Sequence, residues 1–321
     1  MTAKAKYVLA IDLGGTKLAA ALVNHKGKVV QRASVNVDVR SGMGPVKQIE
    51  TLAGQLSGAN RLQGMVGAAG VAVPGLVRRD GTVWAPNLKG WKKMPLARRL
   101  KSALGIPVVV ESDRNAAVLG ETWCGAARGK SDAIVLMLGT GIGAGILSGG
   151  RLVRGANELS GCAGWMVVTD GFDAEAQRVG QLESLTAGPA IAAAAKRELA
   201  RGVAGLLEEI PAESIHAYEV AEAARRGDAL SIEVFLEAGR LLGYGVANLV
   251  SLFDPEIVVI GGGLARASDL FLDALRKSMR ECAQPISGRR VRVVTSRLVG
   301  DANLLGVARL AWEAGRASPA N

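Results

Sequence analysis

Aromatic side chains make up only 4% of this 321-residue chain, histidine occurs twice and cysteine three times. The cysteines, Cys124, Cys162 and Cys282, form no C-x-x-C pair, which argues against a zinc knuckle and a disulfide framework. His25 and His216 stand alone, one in a turn and one near a helix start, and receive no role. No apolar run reaches the roughly 20 residues that span a bilayer. The opening Met1 to Lys6 lacks the long apolar segment of a secretory signal. These absences lead to the expectation of a cytoplasmic protein with no membrane partner. The formal net charge of +10 invites a nucleic-acid reading, but the basic residues are scattered into small clusters at Lys92-Lys93, Arg98-Arg99-Lys101 and Arg289-Arg290-Arg292. With no basic patch interleaved with aromatics, the pattern reads as a solvated surface that also attracts anionic nucleotides, and no nucleic-acid partner is expected.

Hydrophobic residues are plentiful at 49%, and the 42 glycines gather in short turns. The length fits two lobes rather than one core. The most informative turn is Ala10-Ile11-Asp12-Leu13-Gly14-Gly15-Thr16-Lys17, set between the apolar runs Tyr7–Ala10 and Leu18–Val23. It reads as a β-hairpin in which Gly14 and Gly15 take φ > 0 and leave backbone amides bare for a polyphosphate. Asp12 at its mouth can orient a hydrated Mg²⁺, and Thr16 and Lys17 add a hydroxyl and a cation.

Strands are expected at Tyr7–Ile11, Leu18–Asn24 and Val29–Val37, then a helix over Pro45–Leu56 and a strand over Met65–Val73 that ends at Pro74-Gly75. A helix over Pro95–Leu104, closed by Gly105, precedes the strand Pro107–Glu111. The set then repeats: a helix Asn115–Cys124, a strand Ala133–Leu138, the turn Gly139-Thr140-Gly141-Ile142-Gly143 and a strand Ala144–Leu147. Two such units indicate internal duplication of a β-β-β-α-β-α core. Helices dominate Pro189 to Ser251, with apolar helical spacing over Leu230–Leu252, before Asp254-Pro255. Ile257–Ile260 runs into Gly261-Gly262-Gly263, followed by a helix Ser268–Cys282, a strand Val291–Val294 and a last helix Ala302–Gly315 that Asp301 can cap.

Four segments in order, Asp12–Lys17, Glu111–Glu121, Gly139–Gly145 and Ile257–Gly263, resemble the ROK family of repressors, open reading frames and sugar kinases. The resemblance covers nearly the whole chain. It implies the two-lobed actin-like ATPase (ribonuclease H-like) α/β fold with duplicated βββαβα cores, with lobes at 1–113 and 114–300 and a final helix in 301–321 packing on the first. It also implies ATP and Mg²⁺ as cofactors, a small-molecule sugar as substrate and a homodimer. About six residues precede the first strand, where repressor members carry a helix-turn-helix, so no DNA-binding module is expected. Asp12, Gly14, Gly15, Thr16 and Lys17 would hold Mg²⁺ and the terminal phosphates. Thr140, Gly141 and Gly143 would bind phosphate oxygens, and Gly261, Gly262 and Gly263 would let adenosine lie against the backbone. Phosphoryl transfer needs charge neutralisation and in-line positioning more than covalent help, which suits these parts.

Asp113, between a strand and a helix, is the expected general base, although an aspartate there also makes a good helix N-cap. Asn87 and Glu183 match sugar-contacting positions of the family; locally they also read as a turn asparagine and a helix-start glutamate. The pattern breaks at Gly161-Cys162-Ala163-Gly164-Trp165, where the family carries Gly-Glu-x-Gly-His and, downstream, a zinc-binding cysteine cluster. Residues 174–181 contain no cysteine, so no zinc is expected. Cys162 and Trp165 replace two polar sugar anchors. Trp165 can stack on a sugar face or fill the space left by zinc, with packing the favoured role, and relaxed or altered sugar specificity follows. The expected activity is ATP-dependent phosphorylation of glucose or a related hexose at the 6-hydroxyl. An N-acetyl amino-sugar kinase, a non-catalytic sugar or nucleotide sensor, and a polyphosphate donor are the alternatives.

Overall fold

The computed structural model describes residues 5–57, 64–298 and 300–317. Met1–Lys4 of the stretch read for a secretory signal, and residues 318–321 of the expected final segment, lie outside the described residues. The chain forms two compact units, one of Met1–Gly129, Leu152–Ser160 and Gly300–Asn321, the other of Lys130–Arg151 and Gly161–Val299.

In the first unit β1 (Tyr7–Leu13) and β2 (Lys17–Asn24) make a hairpin that β3 (Val29–Asn36) continues. Helix α1 (Gly44–Ser57) leads to β4 (Val66–Val73), a two-stranded ribbon β5 (Leu76–Val77) and β6 (Val83–Trp84), α2 (Leu96–Leu104), β7 (Val108–Ser112) and α3 (Asp113–Cys124). The sheet order is β3-β2-β1-β4-β7, with β4 parallel to both β1 and β7. Central strands read as continuous apolar runs because both faces are covered: residues 8–11 of β1 are buried.

The second unit repeats the plan. Strands β8 (Ala133–Leu138), β9 (Ile142–Ser148) and β10 (Arg151–Leu152) are followed by α4 (Ala174–Val179), α5 (Gln181–Thr186), α6 (Gly188–Ala200), α7 (Ala217–Arg225), α8 (Ala229–Phe253), β11 (Ile257–Gly261), α9 (Ser268–Cys282), α10 (Pro285–Arg290) and β12 (Arg292–Thr295). The sheet order β10-β9-β8-β11-β12 reproduces that of the first sheet strand for strand. Helices α8 and α9 pack through Gly239 and Gly243, where an added Cβ would lie 2.6 Å from the carbonyl oxygens of Phe271 and Leu275.

The chain then returns to the first unit as α11 (Ala302–Ala317), which covers β1 and β4 and packs along α3. That packing moves the expected boundary at residue 113: α3 stays with the first unit, because its partners β7 and α11 both belong there. The α3–α11 contact is made backbone to backbone. A Cβ on Gly306 would sit 1.8 Å from the Ala116 oxygen, and one on Gly120 would sit 2.1 Å from the Ala302 oxygen. Gly306→Ala should therefore force the two helices apart and cost about 1–3 kcal/mol, the usual range for overpacking. A urea melt with an unchanged midpoint would show that the helices can yield there.

Most expected elements end within two residues of the observed ones, as helix and strand ends generally do. The ribbon β5–β6 and the short helices α4 and α10 have no counterpart in the sequence reading, being too short for their periodicity to register. The carboxylate of Asp301, at the start of α11, pairs with Arg32.

Candidate active site

The first glycine turn is a tight link between Leu13 and Leu18, which face each other in the β1–β2 register. The Gly14 N–H donates to the Lys17 carbonyl at 2.9 Å, and the Val37 N–H donates to the Thr16 carbonyl at 2.8 Å. Neither Gly14 nor Gly15 takes a positive φ, contrary to expectation. Glycine serves there by lacking a side chain: a Cβ on Gly15 would meet nothing within 4 Å, so the exposed turn offers bare backbone.

Asp12 stands on β1 beside this turn. Burial pushes its carboxyl up to about 7; the Asn303 amide, 3.3 Å away, pulls the other way, and the charges of Asp113 and Asp301 add to the rise. A half-buried carboxylate facing two like charges is the environment that a divalent cation stabilises. Asn303, on the first turn of α11, escaped the sequence reading because it lies 291 residues from Asp12.

Asp113 is the first residue of α3, and Ser112 is the N-cap, with no side-chain capping bond. The N-cap position considered for Asp113 is thus occupied by Ser112, without a capping bond, and Asp113 stands inside the helix. Its Oδ1 accepts the Arg114 N–H at 2.8 Å. Burial raises the Asp113 carboxyl, with that N–H and the Arg114 guanidinium opposing. Arg114 is itself held by the carbonyls of Ser160 and Glu158, at 3.1 and 3.2 Å. Arg154 reaches the buried Glu111 at 2.5 Å, and Arg79 pairs with Glu158 at 2.9 Å. Arg114 and Arg154 thus fasten residues 154–160 to the start of α3, and Arg79 ties them to the β5–β6 turn, a network invisible in sequence because its members are distant along the chain. Asn87 is exposed at the tip of the Ala85–Trp91 turn, which buried Trp91 anchors by donating its indole N–H to the Gly42 carbonyl.

In the second unit, the turn after β8 is closed by the Gly139 N–H donating to the Gly141 carbonyl at 3.0 Å. Glu183 accepts the Ile142 N–H at 2.7 Å, and a Cβ on Gly141 would lie 2.9 Å from its Oε2. Burial raises the Glu183 carboxyl, with that N–H opposing. Glu183 therefore buttresses the turn that carries Thr140, Gly141 and Gly143. Gly262 has φ +83°, and a Cβ there would strike the Leu138 carbonyl oxygen at 2.2 Å, so only glycine lets the chain leave β11 against β8. Gly263, open on its free side, lines a cavity of about 680 Å³ together with Gly139, Thr140, His216, Tyr218 and Leu264. The cavity wall is largely apolar and ends at a glycine turn, a shape that accepts a nucleobase and ribose with phosphates at the turn. Gly261 is buried and ends β11. His216, given no role from sequence, is on this wall because α7 starts there.

Trp165 is 53% exposed, which overturns the packing role favoured for it; its neighbours Ala163 and Gly164 are buried instead. Cys162 is exposed as well. Among the described residues no three His, Cys, Asp or Glu side chains are grouped as metal ligands, and no helix is long and apolar enough to cross a membrane.

Twin sheets of the same strand order, each with a small-residue turn after its first strand, define the two-lobed actin-like ATPase fold. The chain belongs to the ROK family, whose model matches residues 8–314. It is 34% identical over 315 residues to a glucokinase of Streptomyces coelicolor, covering 95% of this chain and 97% of that one. It is 36% identical over 311 residues to the bifunctional enzyme NanE/NanK of Brucella suis, of whose length it spans about half (53%, with 95% of this chain covered). A ROK family glucokinase from Streptomyces griseus, solved in complex with glucose and AMPPNP, superposes with a TM-score of 0.81 at 34% identity, covering 96% of this chain and 99% of that one.

Proposed function

We propose that this protein is an ATP-dependent sugar kinase that phosphorylates glucose or a related hexose at the 6-hydroxyl. The observation that carries the reading is Asp113: a partly buried carboxylate of raised pKa at the start of a helix, in a unit that also holds Asp12 beside a glycine turn. Asp113 accepts the proton of the attacking hydroxyl as its oxygen bonds the terminal phosphorus and ADP leaves. Asp12 would hold Mg²⁺, with Gly14, Gly15, Thr16 and Lys17 toward the phosphates. Thr140, Gly141 and Gly143 take phosphate oxygens, and the cavity beside Gly263 takes the adenosine. Asn87 and Glu183 contact the sugar. When bound, Mg-ATP supplies the phosphoryl group and neutralises its charge. The protein works in the cytoplasm as a homodimer on this reading, which sedimentation of the purified chain tests directly.

A second reading, an N-acetyl amino-sugar kinase, is favoured by Trp165. An exposed indole beside exposed Cys162 offers an apolar face to an acetamido methyl where the family places hydroxyl-binding side chains. ADP release with Mg-ATP across hexoses, amino sugars and N-acetyl amino sugars decides between the two. Sugar-dependent turnover names the substrate; nucleotide binding without turnover on any sugar would make the chain a sensor. Ala192→Phe, in the cavity wall, should weaken ATP at least tenfold and leave the sugar KM unchanged, because it fills space the adenosine needs. An unaltered ATP KM would remove the cavity from the reaction.

A further inference from the structure

The first unit holds a cavity that the proposed reaction does not use. It lies where β1 begins, whereas Asp12 stands five residues farther along that strand, about 16 Å at the usual strand rise. Its volume is about 820 Å³, and its walls include Lys6 and Tyr7 at the start of β1, His25 after β2, and Trp312 and Arg316 near the end of α11. Among the described residues the lining contains the cations Lys6 and Arg316 and no carboxylate. Among the described residues no ion pair engages either cation. His25 meets Trp312 edge to face with ring centroids 6.5 Å apart, and the indole N–H has no acceptor. Two cations with no described ion-pair partner, beside an aromatic wall, recognise an anionic group attached to a ring. The volume suits a small metabolite.

We propose that this cavity is a regulatory site for a phosphorylated sugar, with the phosphate held by Lys6 and Arg316 and the ring against Trp312 and His25. The choice of a sugar phosphate rests on the kinase reading, since that is the class of product such an enzyme makes. Helix α11 supplies the route to the catalytic carboxylates. From Arg316 it runs 13 residues, about 20 Å at the helical rise, back to Asn303, whose amide donates to Asp12. Along the way Gly306 and Gly120 fix it backbone to backbone against α3, which begins at Asp113. A shift at the far end of α11 has no side chain in that contact to absorb it. Occupancy of the cavity therefore changes the setting of Asp12 and Asp113 and inhibits turnover.

Glucose 6-phosphate is the probe, with inorganic phosphate and glucose as comparisons. Calorimetry in the presence of saturating sugar and a non-hydrolysable ATP analogue reads the cavity with the reaction site filled. The wild type should bind glucose 6-phosphate more tightly than inorganic phosphate and lose kcat without a rise in sugar KM. Lys6→Gln with Arg316→Gln, both at exposed positions outside the catalytic set, should weaken binding and inhibition at least tenfold while basal kcat stays within twofold. Purely competitive inhibition against the sugar, equal inhibition of the double variant, or phosphate binding as tightly as the sugar phosphate would overturn the assignment. Glucose 6-phosphate binding that depends on Lys6 and Arg316 in a protein without kinase activity would uphold the site and sink the kinase reading alone.

Discussion

Asp113→Asn should abolish sugar-dependent ADP release, with kcat falling by about 10²–10⁴, the usual contribution of a positioned general base. Nucleotide affinity should stay within twofold, since the described residues that line the cavity proposed for adenosine all belong to the other unit. The base works deprotonated, so the rate falls as pH drops through its folded pKa. Burial raises that pKa, so the acid limb of kcat/KM should lie above the ordinary aspartate range near 4. A raised folded pKa also means that the ionised carboxylate opposes folding at neutral pH. The variant should then be at least as stable as the wild type at pH 7.5, separating lost chemistry from lost fold. Retained turnover in Asp113→Asn would remove it from the mechanism.

Asp12→Asn should combine a gain in stability with a loss of function. The folded carboxyl titrates near 7 against an ordinary 3.8. Between these values the folded state binds the proton more tightly than the unfolded chain does. Wild-type stability therefore falls as pH rises from about 4 to 7, then levels off. Three pH units correspond to at most about 4 kcal/mol; with residual hydration of a half-buried group, the expected gain in Asp12→Asn is ~1–3 kcal/mol above pH 7, vanishing below pH 4. Urea melts at pH 4 and pH 7.5 measure it, and equal differences at both pH values would refute the assignment. The same proton must leave before a cation binds. Mg²⁺ affinity should rise about tenfold per unit up to pH 7, flatten above it, and disappear in Asp12→Asn. A flat pH profile would place the cation elsewhere.

The amino-acid sequence by itself determined the strands, the two glycine turns, the duplication and Asp113 as a candidate base. All of these are local signals: apolar runs of strand length, glycines between them, and a carboxylate at a strand–helix junction. That Gly262 admits no side chain came from the structure instead, through the Leu138 carbonyl packed against it. The sequence account of Gly14 and Gly15 stopped at the bare backbone, because φ follows from the turn geometry and not from residue type. Tertiary structure alone decided the rest. Asn303 reaches Asp12 only because α11 returns to the first sheet. Arg154 and Arg114 fasten residues 154–160 to the start of α3 by contacts between distant segments. His216 joins the cavity beside Gly263 because α7 begins on its wall, and Trp165 lies exposed while Ala163 and Gly164 take the interior. The sheet fixes neighbours along the chain by local pattern, whereas burial and charge at a site are sums over segments that meet only after folding.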